Sequence, residues 1–191
     1  IGDFGNNVKG NRANLAILKI SKASFFSGSP KTEYIYFSYS DQTDLVPKKN
    51  NNTTDFDCEA FIVSNDSIYL FTKQWVSKKT SVYVLPKLPG TYTANLKTTY
   101  NVDGLITGAT YLQDKRLVIL SGYSGLLHPF FYLLYDYTAN DFFSGNKRKI
   151  TMSLSFHQVE GIATTNGTDV FVTNEYFSKR PFVTSSQKLH H

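Results

Sequence analysis

The sequence predicts an all-β protein, and two properties of its 191 residues support this fold class. The first is composition, because polarity comes from Ser (18), Thr (19) and Asn (14), whereas charged residues make up only 18%. Tyr and Phe supply nearly all the aromatic residues, and aromatic and β-branched side chains favour strands, while Ser and Asn favour turns. The second property is an internal repeat, which defines the order of the strands.

The repeat consists of three aligned hexapeptides, each of which is predicted to form the first strand of a unit. Their marker positions, Glu59, Thr107 and Glu160, lie 48 and 53 positions apart. A short polar turn and a second β-rich run follow each hexapeptide, which is the pattern of a β-hairpin. The hexapeptides are Cys58-Glu59-Ala60-Phe61-Ile62-Val63, Ile106-Thr107-Gly108-Ala109-Thr110-Tyr111 and Val159-Glu160-Gly161-Ile162-Ala163-Thr164.

Further strands follow each hairpin, and they become more polar along the unit. The predicted second strands are 68–73, 117–123 and 170–175, the third strands are 81–85 and 130–135, and the fourth strands are 94–100 and 149–154. In a propeller blade the inner strands are crowded and the outer strands face water, so rising polarity is typical of a blade. Four-stranded repeats of about 40 to 50 residues therefore predict a β-propeller built of antiparallel blades.

The two ends of the chain align with parts of a blade. Residues 1–4 match a second strand, 15–20 a third strand, 34–39 a fourth strand, and 187–191 the beginning of a third strand. The segments 24–33 and 41–57 are predicted loops. We therefore expect residues 1–191 to form a single β-propeller domain with two whole and two partial blades, which belong to a larger propeller.

Charge and cysteine content exclude several classes of protein. The net charge of +5 is dispersed, and its densest runs, Lys78-Lys79 and Lys147-Arg148-Lys149, lie beside predicted turns, so no nucleic-acid partner is expected. The single cysteine, Cys58, forms no internal disulfide and, with only four histidines, no structural zinc site. No apolar run reaches the roughly 18 residues of a membrane helix, so no membrane span is expected.

Three strings in the sequence resemble a known protein family. They are Ile1-Gly2-Asp3-Phe4-Gly5-Asn6-Asn7, Asp55-Phe56-Asp57-Cys58-Glu59-Ala60 and Val159-Glu160-Gly161-Ile162. The family comprises uncharacterised secreted β-propeller proteins common in Bacteroidetes, many of which have type IX secretion sorting domains. The resemblance implies export to the medium or the cell surface, a monomeric propeller at full length and no known activity. More distantly, the chain resembles phytase-like and lactonase propellers, in which axial Glu, Asp and Asn residues bind calcium.

Acidic and amide side chains are predicted to meet at one mouth of the propeller. Antiparallel pairing places the start of a first strand and the end of a second strand at the same edge of a sheet. Oxygen-only ligands suit calcium or magnesium rather than zinc or copper. These side chains form a candidate calcium site, and the alternative is that the glutamates hydrogen-bond the backbone of adjacent blades or line a water-filled channel. The candidate ligands are Asp3, Glu59, Glu160, Asn174 and Glu175.

A second group of side chains, beside the same edge, is predicted to bind a ligand. Loops on a rigid scaffold are common positions for binding residues, although amides there also shape tight turns. Aromatic side chains on these loops provide a stacking platform for sugars or extended polymers, or they seal contacts between blades. The candidate ligand-binding residues are Asn6, Asn7, Lys73, Trp75, Tyr123 and Tyr176.

Two functions are compatible with these residues. The first is a secreted binding or interaction module for a glycan or a protein, since the sequence contains no nucleophile motif. His157 is a candidate general base near Glu160, although a histidine without a paired partner is more often a solvent-facing loop residue. The alternative is a calcium-dependent hydrolase of phosphoesters or lactones, in which the metal would polarise the substrate and activate water.

Overall fold

A computed structural model describes all 191 residues. Half of the residues lie in strands and 3% lie in helix, which confirms the all-β prediction. None of the helical structure has the length and apolarity that a membrane crossing requires. The elements are β1 (Gly2–Asp3), β2 (Leu15–Ile20), α1 (Lys22–Phe26), β3 (Thr32–Tyr39), β4 (Asp57–Val63), β5 (Ser67–Lys73), β6 (Thr80–Pro86), β7 (Gly90–Tyr100), β8 (Leu105–Leu112), β9 (Leu117–Tyr123), β10 (Pro129–Tyr135), β11 (Asn146–Thr151), β12 (Val159–Thr164), β13 (Val170–Asn174), β14 (Phe177–Lys179), β15 (Val183–Ser185) and β16 (Lys188–His190).

Two consecutive stretches of the chain form four-stranded antiparallel meanders, which we call unit 2 (β4 to β7) and unit 3 (β8 to β11). Within each unit every strand pairs with the next strand along the chain. Their first and second strands lie where the repeat predicts them. Exposure also increases outward, since β9 is buried along nearly its whole length and every residue of β11 is exposed.

Unit 1 (β1 to β3) is joined to unit 2 by a strand pairing that the repeat does not predict. The first half of β7, from Gly90 to Ala94, pairs in parallel with β3, and its second half pairs antiparallel with β6. The strand therefore begins four residues before the predicted position 94. Both β3 and β7 are outer strands, and pairing them satisfies backbone groups that each would otherwise leave unpaired.

Unit 4 consists of β12, β13 and β16, which form a three-stranded antiparallel sheet. The predicted first, second and third strands of this unit are present. Between β13 and β16 the chain forms a separate hairpin, β14 and β15, which the repeat does not predict. The predicted loop 24–33 likewise overlaps the short helix α1, whose N-terminus is capped by Ser21 through the backbone N–H of Ser24.

Two hydrophobic cores fill the spaces between neighbouring units. The core between units 1 and 2 includes the fully buried Phe37, Leu70 and Tyr83. The core between units 2 and 3 includes Phe71 and Phe142. The first strands lie side by side, because β8 packs against both β4 and β12.

A β-bulge interrupts the first strand at the marker position of the repeat. The register shifts between Cys58 and Ala60, between Ile106 and Gly108, and between Val159 and Ile162. A bulge inserts an extra residue, breaks the alternation of side chains and bends the strand. Cys58 and Ala60 consequently lie in different cores, although residues two apart in a regular strand share a face. Glu59 lies between them and belongs to neither core.

We expect Gly108→Ala to lower the free energy of unfolding by about 2 kcal/mol, because overpacking forces neighbouring backbone apart. A Cβ atom at this position would overlap the carbonyl oxygen of Glu160 and the hydroxyl of Ser121. Gly125→Ala is the matched control, since a Cβ atom there meets nothing within 4 Å. Chemical denaturation of the two variants checks the expectation, and equal midpoints would contradict it.

Candidate functional site

The starts of the first strands and the ends of the second strands meet at one edge of the molecule, which we call the mouth edge. Asp57 pairs with Lys73 across β4 and β5, and Val159 pairs with Asn174 across β12 and β13. The contact of β8 with β4 and β12 brings these ends together. Glu59, Lys73 and Glu160 form the centre of this edge, and we call these three residues the mouth cluster.

Lys73 is the buried cation of the mouth cluster. Its Nζ atom lies 2.7 Å from Oε2 of Glu59, and its side chain is 4% exposed. The ammonium group also lies over two aromatic rings, 4.8 Å from the centre of Trp75 and 5.3 Å from that of Tyr123. Burial alone would lower the pKa of Lys73, but the negative charge of Glu59 and its neighbours raises the pKa above its usual value. Lys73 is therefore charged at all physiological pH values.

Glu160 is the unusual carboxyl group of the cluster. Burial and repulsion by Glu59 raise the pKa of Glu160 to about 9, although the charge of Lys73 opposes this rise. Two neighbouring carboxyl groups avoid double ionisation by retaining a proton. The raised pKa favours the protonated form of Glu160, whose hydrogen-bond partner is Glu59.

A shallow depression of about 460 Å³ lies directly over Glu160. Its lining is almost entirely polar, and it includes a single aromatic residue, Tyr176, which is 51% exposed. Hydroxyl, amide and carboxyl groups therefore face solvent together at this position. The lining residues are Glu160, Thr173, Asn174, Glu175, Tyr176 and Gln187.

Three of the five predicted calcium ligands lie close together, Asn174 lines the depression beside them, and Asp3 is engaged elsewhere. Glu59 and Glu175 lie near enough to Glu160 for their negative charges to raise its pKa. Asp3 instead pairs with Arg12, with 3.0 Å between Oδ1 and Nη2. The amide of Asn174 is held by its own unit, since it donates to the carbonyl oxygens of Glu175 and Ser186 at 2.7 and 2.9 Å. No group of three or more His, Cys, Asp or Glu side chains is placed to hold a metal ion.

The predicted ligand-binding residues divide into a buried and an exposed set. Lys73 and Tyr123 are buried in the wall of the mouth, and Tyr176 borders the depression. Asn6 is 3% exposed, and its side chain donates to the carbonyl oxygen of Phe56 and accepts from the backbone N–H of Arg12. Its amide therefore stabilises the loop between units 1 and 2. Asn7 is exposed.

Sequence reasoning did not identify Asp57, the fully buried carboxylate behind this edge. Its Oδ1 atom accepts the backbone N–H groups of Asn6 and Cys58, at 2.7 and 3.0 Å. Its Oδ2 atom accepts the indole N–H of Trp75 at 2.8 Å. Trp75 is thus oriented by Asp57 on one side and packs against Lys73 on the other. Asp57 supports the mouth cluster without belonging to it.

No protein-family model matches the chain, and no curated protein or solved structure is significantly similar to it.

Proposed function

We propose that the chain forms two whole and two partial blades of a secreted β-propeller, which binds a carbohydrate in the depression over Glu160. The propeller is supported by the two four-stranded meanders, by the side-by-side first strands and by the exposure that rises toward the outer strand. Secretion is supported by the resemblance of the three sequence strings to an exported family.

The observation on which the ligand class depends is the composition of the depression. A carbohydrate needs hydrogen-bonding groups for its hydroxyls and an aromatic ring on which a sugar face stacks. Thr173, Glu175 and Gln187 provide the former, and Tyr176 provides the latter. Glu160 adds a further polar group to the lining, and its raised pKa favours the neutral form.

The calcium-dependent hydrolase has less support from the geometry. It requires at least three oxygen ligands at about 2.3 to 2.6 Å from one ion. Glu59 is already paired with Lys73, and Asp3 is paired with Arg12. The hydrolase therefore stays a prediction from the sequence, and the binding module is the function that we propose.

A glycan array followed by calorimetry on the best ligand tests the proposal. We expect Tyr176→Ala to weaken binding about tenfold, because a stacked aromatic ring contributes about 0.5 to 1.5 kcal/mol beyond its buried area. Tyr34→Ala is the matched control, since Tyr34 is exposed to a similar extent, 42%, and lies in unit 1, away from the depression. Binding should also decrease as the pH rises through about 9, when Glu160 ionises, and Glu160→Gln should remove this decrease.

Two outcomes would contradict the carbohydrate assignment. One is an array on which the folded protein binds no glycan. The other is a ligand whose affinity is unchanged by Tyr176→Ala, which would place its binding site outside the depression.

A further inference from the structure

The loops that join a second strand to a third strand lie together at the mouth edge, because each of them follows the end of a second strand. There is one such loop in each unit, and the four segments are 4–14, 74–79, 124–128 and 175–187. The loops of units 1 to 3 are each hydrogen-bonded to the residue just before the next first strand, or two residues before it. These bonds join Asn6 to Phe56, Lys78 to Gly104 and Leu127 to His157, at 3.3, 3.2 and 3.2 Å. The fold therefore fixes where these loops lie.

Each of the four loops presents an apolar side chain to solvent. We call these side chains the apolar tips, and they are Val8, Val76, Leu126 and Phe182, with exposed fractions from 54% at Val8 to 83% at Phe182. Lys78 and Leu127, which closely follow two of the tips, have positive φ angles of 59° and 57°, a conformation that is costly for residues other than glycine. A single exposed apolar residue is ordinary, but one in the equivalent loop of every unit indicates an interaction surface.

The same loops carry positive charge beside the tips. An exposed cationic side chain lies within three positions of a tip in three of the four loops, and these side chains are Lys9, Lys79, Lys179 and Arg180. The segments 4–14, 74–79 and 124–128 contain no Asp or Glu, and Glu175 is the only acidic residue in 175–187.

Acidic residues are arranged differently at the two edges of the molecule. Beside the tips, Asp55 accepts the backbone N–H groups of Val76 and Ser77 at 2.9 and 3.1 Å, so its charge is engaged in holding a loop. At the opposite edge, the turn between the first and second strand contains an aspartate in each of units 2 to 4. These residues are Asp66, Asp114 and Asp169. The apolar tips with their cations thus distinguish the mouth edge from the opposite edge.

We propose that these four loops dock on a lipid bilayer that contains anionic phospholipids. The apolar tips enter the boundary between headgroups and acyl chains, and the lysine and arginine side chains contact the phosphate groups. The tips belong to four separate loops, which a fluid bilayer accommodates, whereas the centre of a protein interface is one contiguous packed patch. The depression over Glu160 opens at the same edge, so a carbohydrate bound there would have to be presented at the lipid surface.

Trp75, the only tryptophan, lies directly before the tip Val76 and reports docking. The protein is titrated with vesicles of brominated phosphatidylcholine mixed with phosphatidylglycerol, and with vesicles of brominated phosphatidylcholine alone. We expect the mixed vesicles to quench Trp75 with an apparent Kd on the order of 10⁻⁴ M lipid, and high salt to weaken the binding. These vesicles contain no carbohydrate, so the result is independent of the proposed carbohydrate site.

Leu126→Ser and Phe182→Ser should each weaken binding to mixed vesicles about tenfold, because each variant loses one buried apolar side chain. The matched controls are Leu88→Ser and Phe26→Ser, since Leu88 and Phe26 are exposed to a similar extent and lie at the opposite edge. Both controls should bind like the original protein.

Three results would overturn the proposal. The first is the absence of quenching up to about 1 mM lipid. The second is equal affinity for vesicles of phosphatidylcholine alone, which would remove the role of the cations. The third is an equal loss of binding in the control variants, which would place the lipid contact at the opposite edge.

Discussion

Replacing Asp57 by alanine is expected to lower the free energy of unfolding by about 4 kcal/mol, because a buried donor that loses its acceptor costs about 1 to 3 kcal/mol. Asp57 is fully buried and accepts three hydrogen bonds, from the backbone N–H groups of Asn6 and Cys58 and from the indole of Trp75. Alanine has no acceptor, so two buried backbone N–H groups and the partly buried indole N–H would lose their partner.

Denaturant unfolding monitored by tryptophan fluorescence measures this effect, and the signal is unambiguous because Trp75 is the only tryptophan. Asp114→Ala is the matched control, since Asp114 is an exposed turn residue, and its replacement should change stability by less than about 0.5 kcal/mol. The stability of Asp57→Asn should fall between those of Asp57→Ala and Asp114→Ala, because the amide keeps one acceptor oxygen. If the free energy of unfolding of Asp57→Ala lies within about 1 kcal/mol of that of the original protein, the structural role of this carboxylate is refuted.

Lys73→Met is expected to destabilise the protein by about 3 kcal/mol at pH 7, because removal of one partner from a buried ion pair leaves an uncompensated charge. Lys73 pairs with Glu59 at 2.7 Å, and both side chains are largely shielded from solvent. Lys19→Met is the control. The pair between Lys19 and Glu33 is exposed, so its removal should cost less than about 1 kcal/mol.

The pH dependence of the Lys73→Met variant distinguishes charge from packing. When folding raises the pKa of a carboxyl group, the protonated group contributes its full stability at pH values below the pKa that it has in the unfolded chain. This contribution is lost as the pH rises toward the pKa that the group has in the folded protein. The pKa of Glu160 in the folded protein is about 9, and the positive charge of Lys73 keeps this pKa from rising further. In the variant the pKa of Glu160 would be higher still, so the variant should continue to lose stability above about pH 9, where the loss of the original protein levels off. A difference in stability between the two proteins that stays constant from about pH 8 to about pH 10 would indicate lost packing alone.

The mouth cluster could be predicted from sequence because it depends on local order along each unit. The alignment of Glu59 with Glu160 places both residues at the start of a first strand, and hairpin geometry then brings Lys73 and Glu175 to the same edge. These relationships need only the repeat and the antiparallel pairing of adjacent strands.

Other features depend on contacts between residues distant in the chain, which a repeat does not encode. Asp55 and Asp57 are two positions apart in one string, yet only Asp57 is buried, because Asn6 approaches it from unit 1 and Trp75 approaches it from the far end of β5. Asp3 aligns with Asn174, but a nearby arginine, Arg12, pairs with it instead. The pairing of β3 with β7 likewise follows from two free strand edges meeting in space.

The bulge in each first strand separates the polar marker residue from the residues that pack in the cores. The flanking positions Cys58 and Ala60 must fit two different packed interfaces, so few side chains are tolerated there. The bulged position instead places its polar side chain against a neighbouring strand: Glu59 pairs with Lys73, and the hydroxyl of Thr107 donates to the carbonyl oxygen of Val159. The same bulge thus holds a buried cation in unit 2 and joins the first strands of units 3 and 4.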